Sequence, residues 1–389
     1  MNPAEFLSQK FYEYYRSARI TLPERFPRRE WAYIPFGGTM ARHIGLYSSG
    51  QVHEFLARKV PQHVYHSAAY YQSPAAPTMA EKGWMGADLI FDLDSDHIPG
   101  AEKMSYEEQL DNVKKEFAKL VEEFLLGDFG FDPRHVRINF SGGRGYHAHI
   151  SDPRMLALSS EERREIVDYI TGVGINLDLI IKEESAGARR YGAERYAIKS
   201  LRMPKPDEPG WRGRISRSII AMAEELASME KEQAVKRLAQ AGIGKKPAEK
   251  ILSELTPERL ERIKEGNLDQ SRALKSFFTK EALGSSAVTL TKGTTDEPVT
   301  SDVKRLIRLS DSLHGKTGLR VVQIPLDNLK NFDPLRDAVA FSANPVKIKI
   351  KKPTKIKLGG EKFALVEGET EVPEFAAVFF VARGAAEPV

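Results

Sequence analysis

Residues 136–150 read VRINFSGGRGYHAHI, two short runs of strand-forming residues around a bend that holds three glycines. Glycine reaches the positive φ that a tight reversal needs. Val136–Phe140 and Tyr146–Ile150 are therefore expected to pair as an antiparallel hairpin, which excludes an all-helical chain. A further strand signal lies upstream. Ala87–Asp94 (ADLIFDLD) is an apolar run ending in acids, the pattern of a buried strand.

The same reading predicts a helix over 4–19, with Phe6, Leu7, Phe11, Tyr14 and Tyr15 at helical spacing, broken by Pro23 and Pro27. Strands are expected at Trp31–Phe36, Ala41–Tyr47 and Val64–Tyr71, with a helix at Gln51–Lys59 and a loop at 75–86. Residues 105–126 are amphipathic, and Ser105 with Glu108 has the spacing of a capping box. From Ile215 to Phe278 the pattern is helical, with breaks at Gly242–Lys246 and Thr256–Pro257. Val346–Leu358 (VKIKIKKPTKIKL) alternates lysine with Val and Ile, as in a half-buried strand pair with a Lys-rich outer face. The expected class is α+β with a mixed, partly antiparallel sheet. Its core is discontinuous, 1–185 and 286–389, with an inserted all-helical subdomain at 186–285.

Composition narrows the chemistry. With 389 residues, 41% hydrophobic content and a net charge of +4, the chain can bury a sizeable core. It lacks the ~18 consecutive apolar residues of a membrane span, and its first residues carry no secretory pattern. A cytoplasmic, nucleoid-associated setting without membrane contact is expected. Cysteine is absent, which excludes disulfides, thiol nucleophiles and Cys-based zinc sites. Nine basic residues, Arg189, Arg190, Arg195, Lys199, Arg202, Lys205, Arg212, Arg214 and Arg217, crowd one stretch. Such a cluster suits a polyphosphate or a nucleic-acid backbone, or forms a solvated helical surface.

Three motifs carry chemistry. Strand side chains alternate, so Asp92 and Asp94 share a face about 7 Å apart along the strand. Two carboxylates so placed suit a hard divalent cation such as Mg²⁺ or Mn²⁺, or end a strand in solvent. Asp96 is expected in the loop beyond. The bend Ser141-Gly142-Gly143-Arg144-Gly145-Tyr146-His147 combines backbone N–H groups, a hydroxyl, a guanidinium and an imidazole. That set fits a triphosphate, or an ordinary hairpin turn. Farther on, Asp296, Arg308 and His314 add an acid and two phosphate-directed donors.

Together, FDLD at 91–94, SGGRGYH at 141–147, the spaced Asp296, Arg308 and His314, and KTGLRVVQIPLD at 316–327 resemble the small catalytic subunit of archaeal and eukaryotic DNA primases, of the archaeo-eukaryotic primase superfamily. REWAYIPF at 29–36 and Arg42 resemble the family's N-terminal segment. The resemblance spans roughly residues 5–330 and implies a catalytic core of the primase type. It implies that Asp92, Asp94 and Asp296 hold two divalent ions, Mg²⁺ or Mn²⁺. It further implies that Ser141, Gly142, Arg144, His147, Arg308 and His314 bind the nucleotide's phosphates, and that Arg42 contacts a nucleotide nearby. The implied activity is nucleotidyl transfer of the DNA-directed RNA polymerase type. Short primers would be started de novo on single-stranded DNA from nucleoside triphosphates, then extended. The implied partners are a large primase subunit in a heterodimer, the template and an RNA or DNA primer.

Two departures stand out. Gly143 occupies a position where the family often has Arg. The family's Cys-rich zinc knuckle has no counterpart in a chain without cysteine, so no zinc is expected, with His97 and nearby acids as a poor substitute. Two other readings are a repair or end-joining polymerase of the same superfamily and a non-catalytic nucleic-acid-binding subunit.

Four lesser signals remain. His149 reads as a core partner of His147. His43, His53, His63 and His66 form no ligand pattern. Tyr65, Tyr70 and Tyr71 either stack bases or pack the core. Gly242–Ala248 reads as a helix–hairpin–helix or a plain helix–helix turn.

Overall fold

The computed structural model describes residues 2–98, 100–191, 194–240, 243–268 and 292–389; the side chains at 97, 186–191 and 194–199 lie outside that description. The chain forms two compact units, one of Met1–Val167 with Thr294–Val389 and one of Asp168–Gly293.

The larger unit is built on two four-stranded antiparallel sheets. The first orders its strands as Leu306–Arg308, His63–Ser67, Trp31–Ile34 and Ala41–Ile44. The second runs Val322–Ile324, Val136–Phe140, Gly145–Ile150 and Leu89–Asp94. The expected hairpin is present, with Ile138 opposite Ala148 and Phe140 opposite Tyr146. An edge strand of each sheet contributes to one apolar cluster, Ile90 from the acidic strand and Ile307 from the other, with Ala68 and Val299. The helix Tyr106–Lys119 packs on the second sheet through buried Leu110, Val113 and Phe117, and Phe117 stacks on Tyr146 at 5.2 Å. Its capping box forms as the Ser105/Glu108 spacing predicts, a contribution of about 1 kcal/mol. The helix then widens into a π-helix over Leu120–Asp128.

The α+β class is as expected, but several details differ. The smaller unit is not all-helical. Lys182–Tyr191 and Glu194–Arg202 form a hairpin ahead of the run of helices from Gly210, and Asn267–Leu268, after those helices, adds a third strand. The sequence ERYAIKSLR shows no clean alternation of polar and apolar residues, so periodicity gave no strand signal there. The unit also begins earlier and ends later than 186–285. The loop at 75–86 runs into a strand, Trp84–Ala87, paired with Ala69–Tyr71.

The two Lys-rich strands near the C-terminus, Pro345–Ile350 and Thr354–Leu358, bury Ile348, Ile350, Ile356 and Leu358 and expose their lysines. They do not pair with each other. The first lies between Gly368–Pro373 and Ala386–Pro388, and the second pairs with Glu361–Leu365.

Arg189, Arg190, Arg195 and Lys199 of the basic cluster fall outside the described side chains. So does Gly242 of the candidate helix–hairpin–helix, which leaves that motif outside the described residues at its first position.

Candidate active site

The acidic strand and the hairpin strand beside it are in register, with Asp92 opposite His147 and Asp94 opposite Gly145. Cross-strand partners share a face, so both acids stand beside the glycine bend. The approach is close. A Cβ on Gly145 would lie 2.6 Å from the Leu93 carbonyl oxygen, so only glycine fits there.

Asp92, Asp94, Ser141, Gly143, Arg144, His147, Arg308 and His314 line a single cavity of about 640 Å³. Five cationic side chains, Arg144, Arg305, Arg308, Lys316 and Arg383, line it against the two carboxylates. At about 7 Å and an effective dielectric near 20, two carboxylates repel by roughly 2 kcal/mol. The surrounding cations offset that cost and leave a positive surplus.

Each donor is held by its neighbours. The Ser141 hydroxyl accepts the N–H groups of Gly143 and Gly145, each at 3.2 Å, so it shapes the bend as well as facing the cavity. Gly142 has φ +76°, and its carbonyl accepts the Thr317 hydroxyl at 2.6 Å. Arg144 reaches Asp96 at 2.8 Å and lies 3.6 Å from Asp94. Asp96 is in a short 3₁₀ turn, as the frayed strand end suggested.

The histidines are neutral for a common reason. Burial lowers the pKa of His147 to about 3, assisted by the Arg308 charge and opposed by Asp94. Its Nε2 lies 3.3 Å from the Asp92 carboxylate, so the ring orients an acid as much as it faces a ligand. His314 is likewise pushed well below the ordinary value by burial and Arg308. Its Nδ1 accepts the Lys316 N–H at 3.3 Å, which leaves the proton on Nε2. That atom would sit 2.9 Å from a Cβ at Gly143. The bend therefore approaches His314 closely at Gly143.

Arg308 is held by a residue that sequence spacing did not single out. Its Nη1 lies 2.7 Å from His63 Nδ1, and its guanidinium covers the Tyr65 ring at 5.1 Å. His63 Nδ1 also accepts the Gly315 N–H, and burial, with Arg308 and Lys316, lowers its pKa to about 3. Tyr65 lines the cavity rather than the core. Arg305 and Arg383 gave no sequence signal. Lys316 and Thr317 lie within KTGLRVVQIPLD, whose likeness to the family was the available pointer.

Asp296 approaches by its backbone. Its N–H donates to the Asp92 carbonyl oxygen at 2.9 Å, and Thr295 Oγ1 reaches the same oxygen at 3.4 Å. The cavity lining itself does not include Asp296. Among the described residues, no three acid or imidazole side chains close around a common metal-sized point. The donor set is nonetheless all oxygen, in a polar cavity, with the third acid tied to the first. It fits hard divalent cations and excludes thiolate-seeking ones.

Arg42 is placed differently from the expectation. Its guanidinium pairs with Glu30 at 3.1 Å, where the fully buried carboxylate also receives the His43 N–H, and Arg42 is not among the cavity-lining residues. The buried Glu30 charge requires a partner, and Arg42 supplies one. His149 packs ring to ring with His147 and His66, in keeping with a core role. Among the described residues, no helix is long and apolar enough to cross a membrane.

Comparison with known proteins bears on the same residues. A family model described as DNA primase small subunit matches residues 91–326, from the acidic strand through the segment after His314. The DNA primase small subunit PriS of Methanococcoides burtonii is 46% identical over 389 residues, covering 98% of this chain and 97% of that protein. The PriS protein of Methanothrix thermoacetophila is also 46% identical, covering 98% of each. That of Haloarcula marismortui is 38% identical, covering 98% of this chain and 97% of its own.

Proposed function

This chain belongs to the DNA primase small subunit family, and from that premise we propose that it is the catalytic subunit. It starts short primers on single-stranded DNA from nucleoside triphosphates and extends them. The observation that carries the reading is the shared cavity. An acid pair and the donors suited to a triphosphate line one space, with cations in surplus.

Asp92, Asp94 and Asp296 would hold two divalent cations, Mg²⁺ or Mn²⁺. Such a pair supplies activation of the attacking hydroxyl and neutralisation of the departing pyrophosphate. The remaining work falls to the protein's own groups. Arg144, Arg308 and Lys316 bind and orient the triphosphate, and His314 Nε2–H donates to a phosphate oxygen. Ser141 and Thr317 keep the glycine bend open to the ligand, while His147 fixes the rotamer of Asp92. No side chain need form a covalent intermediate, since positioning and charge stabilisation suffice for transfer of this kind. A large subunit as heterodimer partner follows from the small-subunit assignment.

The experiment is primer synthesis on a circular single-stranded template with no primer supplied. Short products from the wild type, lost in Asp92→Ala and Asp94→Ala, are expected. Extension only of a supplied primer would favour a repair-type polymerase. Tight DNA binding without any synthesis would favour a non-catalytic subunit.

A further inference from the structure

The lysines between 347 and 357 form one run in the sequence, and the fold separates them into two surfaces. On Pro345–Ile350, Lys347 lies opposite Glu371, and Lys349 lies opposite Glu369 on one side and Glu387 on the other. Lys351 pairs with Glu387 at 3.1 Å. Those charges are neutralised locally.

The hairpin of Thr354–Leu358 with Glu361–Leu365 is different. Ile356, Leu358 and Phe363 turn inward, and Lys355, Lys357 and Lys362 are exposed. Lys355 lies opposite Ala364, and Lys357 lies directly opposite Lys362. Like charges at directly opposed positions destabilise a strand pair. Among the described residues, none of these three lysines forms an ion pair. Protection of an exposed edge would call for charge, but acids alternating with lysines provide that, as on the neighbouring sheet. It does not call for two ammonium groups face to face.

The hairpin also sits beside the cavity. The Glu107 carboxylate accepts the backbone N–H of Lys357. Next to Glu107, the Tyr106 hydroxyl donates to the Gly143 carbonyl oxygen of the bend. Arg383, a cavity-lining residue, lies 4.3 Å over the Tyr106 ring. Glu107 and Tyr106 thus link the hairpin backbone to the glycine bend, and the Arg383 cation stands on the same tyrosine.

We propose that the face formed by Lys355, Lys357 and Lys362 is a track for the phosphate backbone of single-stranded DNA entering the cavity. The assignment deepens the reading of the chain as a template-directed polymerase and rests on it. Ammonium groups on flexible stems act as point charges, contact phosphate and carry no base preference. A template reader that must accept every sequence needs that property.

The test uses the full chain and a labelled mixed-sequence single strand, with affinity measured by anisotropy across a salt series. Lys355→Gln, Lys357→Gln and Lys362→Gln are combined. The control combines Lys347→Gln, Lys349→Gln and Lys351→Gln, which removes equal charge from the neutralised face. The first variant should lose affinity about tenfold, and its salt slope should fall by about 2, at roughly 0.7 per phosphate contact. The control should stay within about twofold of the wild type, with both melting temperatures preserved. Equal losses in both, or no loss in the first, would overturn the track. Unchanged DNA affinity with lost binding of the large subunit would also overturn it, in favour of a protein interface. A wild type that binds no single-stranded DNA would sink the functional reading and the track with it.

Discussion

The main-chain N–H of Asp296 donates to the carbonyl oxygen of Asp92 across 2.9 Å. Two acids from opposite ends of the family-matched region are thereby fixed side by side, whatever their carboxylates do. The tie is a backbone one, so substituting the side chain at 296 removes an oxygen donor without untying the chain. Asp296→Asn is expected to fold normally and to lose synthesis by about a thousandfold, about 4 kcal/mol of transition-state stabilisation. Chelation of divalent ions should silence the wild type reversibly. Activity within tenfold of wild type for Asp296→Asn, with an unchanged melting temperature, would remove this residue from the metal-holding set.

Gly142 meets two constraints at once. Its φ is +76°, and a Cβ would lie 2.8 Å from His314 Cβ and 3.1 Å from the Leu319 carbonyl oxygen. Gly142→Ala should cost about 1–3 kcal/mol of stability and raise the KM for nucleoside triphosphate, because the displaced ring is His314. Thermal denaturation and steady-state kinetics check both parts. An alanine variant with wild-type KM would mean that the bend does not shape the phosphate subsite.

His63 positions Arg308 through an acceptor nitrogen. His63→Ala should raise KM about tenfold and leave kcat within about threefold, since the guanidinium loses its anchor but not its charge. His63→Asn offers an oxygen acceptor near the same place and should recover most of the loss. A fall in kcat with no change in KM, or no recovery by asparagine, would argue against a positioning role.

His66 is 4% exposed, and its pKa is held well below the ordinary 6.5 by burial and by the nearby charge of Arg29. Below pH 6.5 the unfolded chain takes up a proton that the folded one resists. Stability should therefore fall as pH drops from 6.5 toward the depressed value, at up to about 1.4 kcal/mol per pH unit. Urea titrations at pH 7, 6 and 5 should show the decline, and His66→Gln should make it shallower by up to about 1.4 kcal/mol per pH unit, with the remainder left by the other buried histidines. An identical pH dependence in the two proteins would show that His66 does not contribute.

Much of this protein was legible in residue order. The glycine bend, the alternation in FDLD and the Ser105/Glu108 spacing are local signals, and each produced the element it predicts. Arg42 shows where locality ends. Its neighbours in sequence resemble a family segment, but its side chain is taken up by Glu30, a buried acid that only the folded sheet brings beside it. Arg383 is the converse case. It caps the apolar helix Glu374–Ala382, where the sequence reading singled out no site residue, yet packing delivers it to the cavity.

The sequence by itself determined the bend, the strands beside it and the acids that a nucleotide site requires, because φ preference, capping and side-chain alternation act over a few residues. The tertiary structure alone decided which charges are matched. Lys349 faces glutamates and Lys357 faces another lysine because strand register is set by distant segments, and a Coulomb interaction depends on distance in space rather than along the chain.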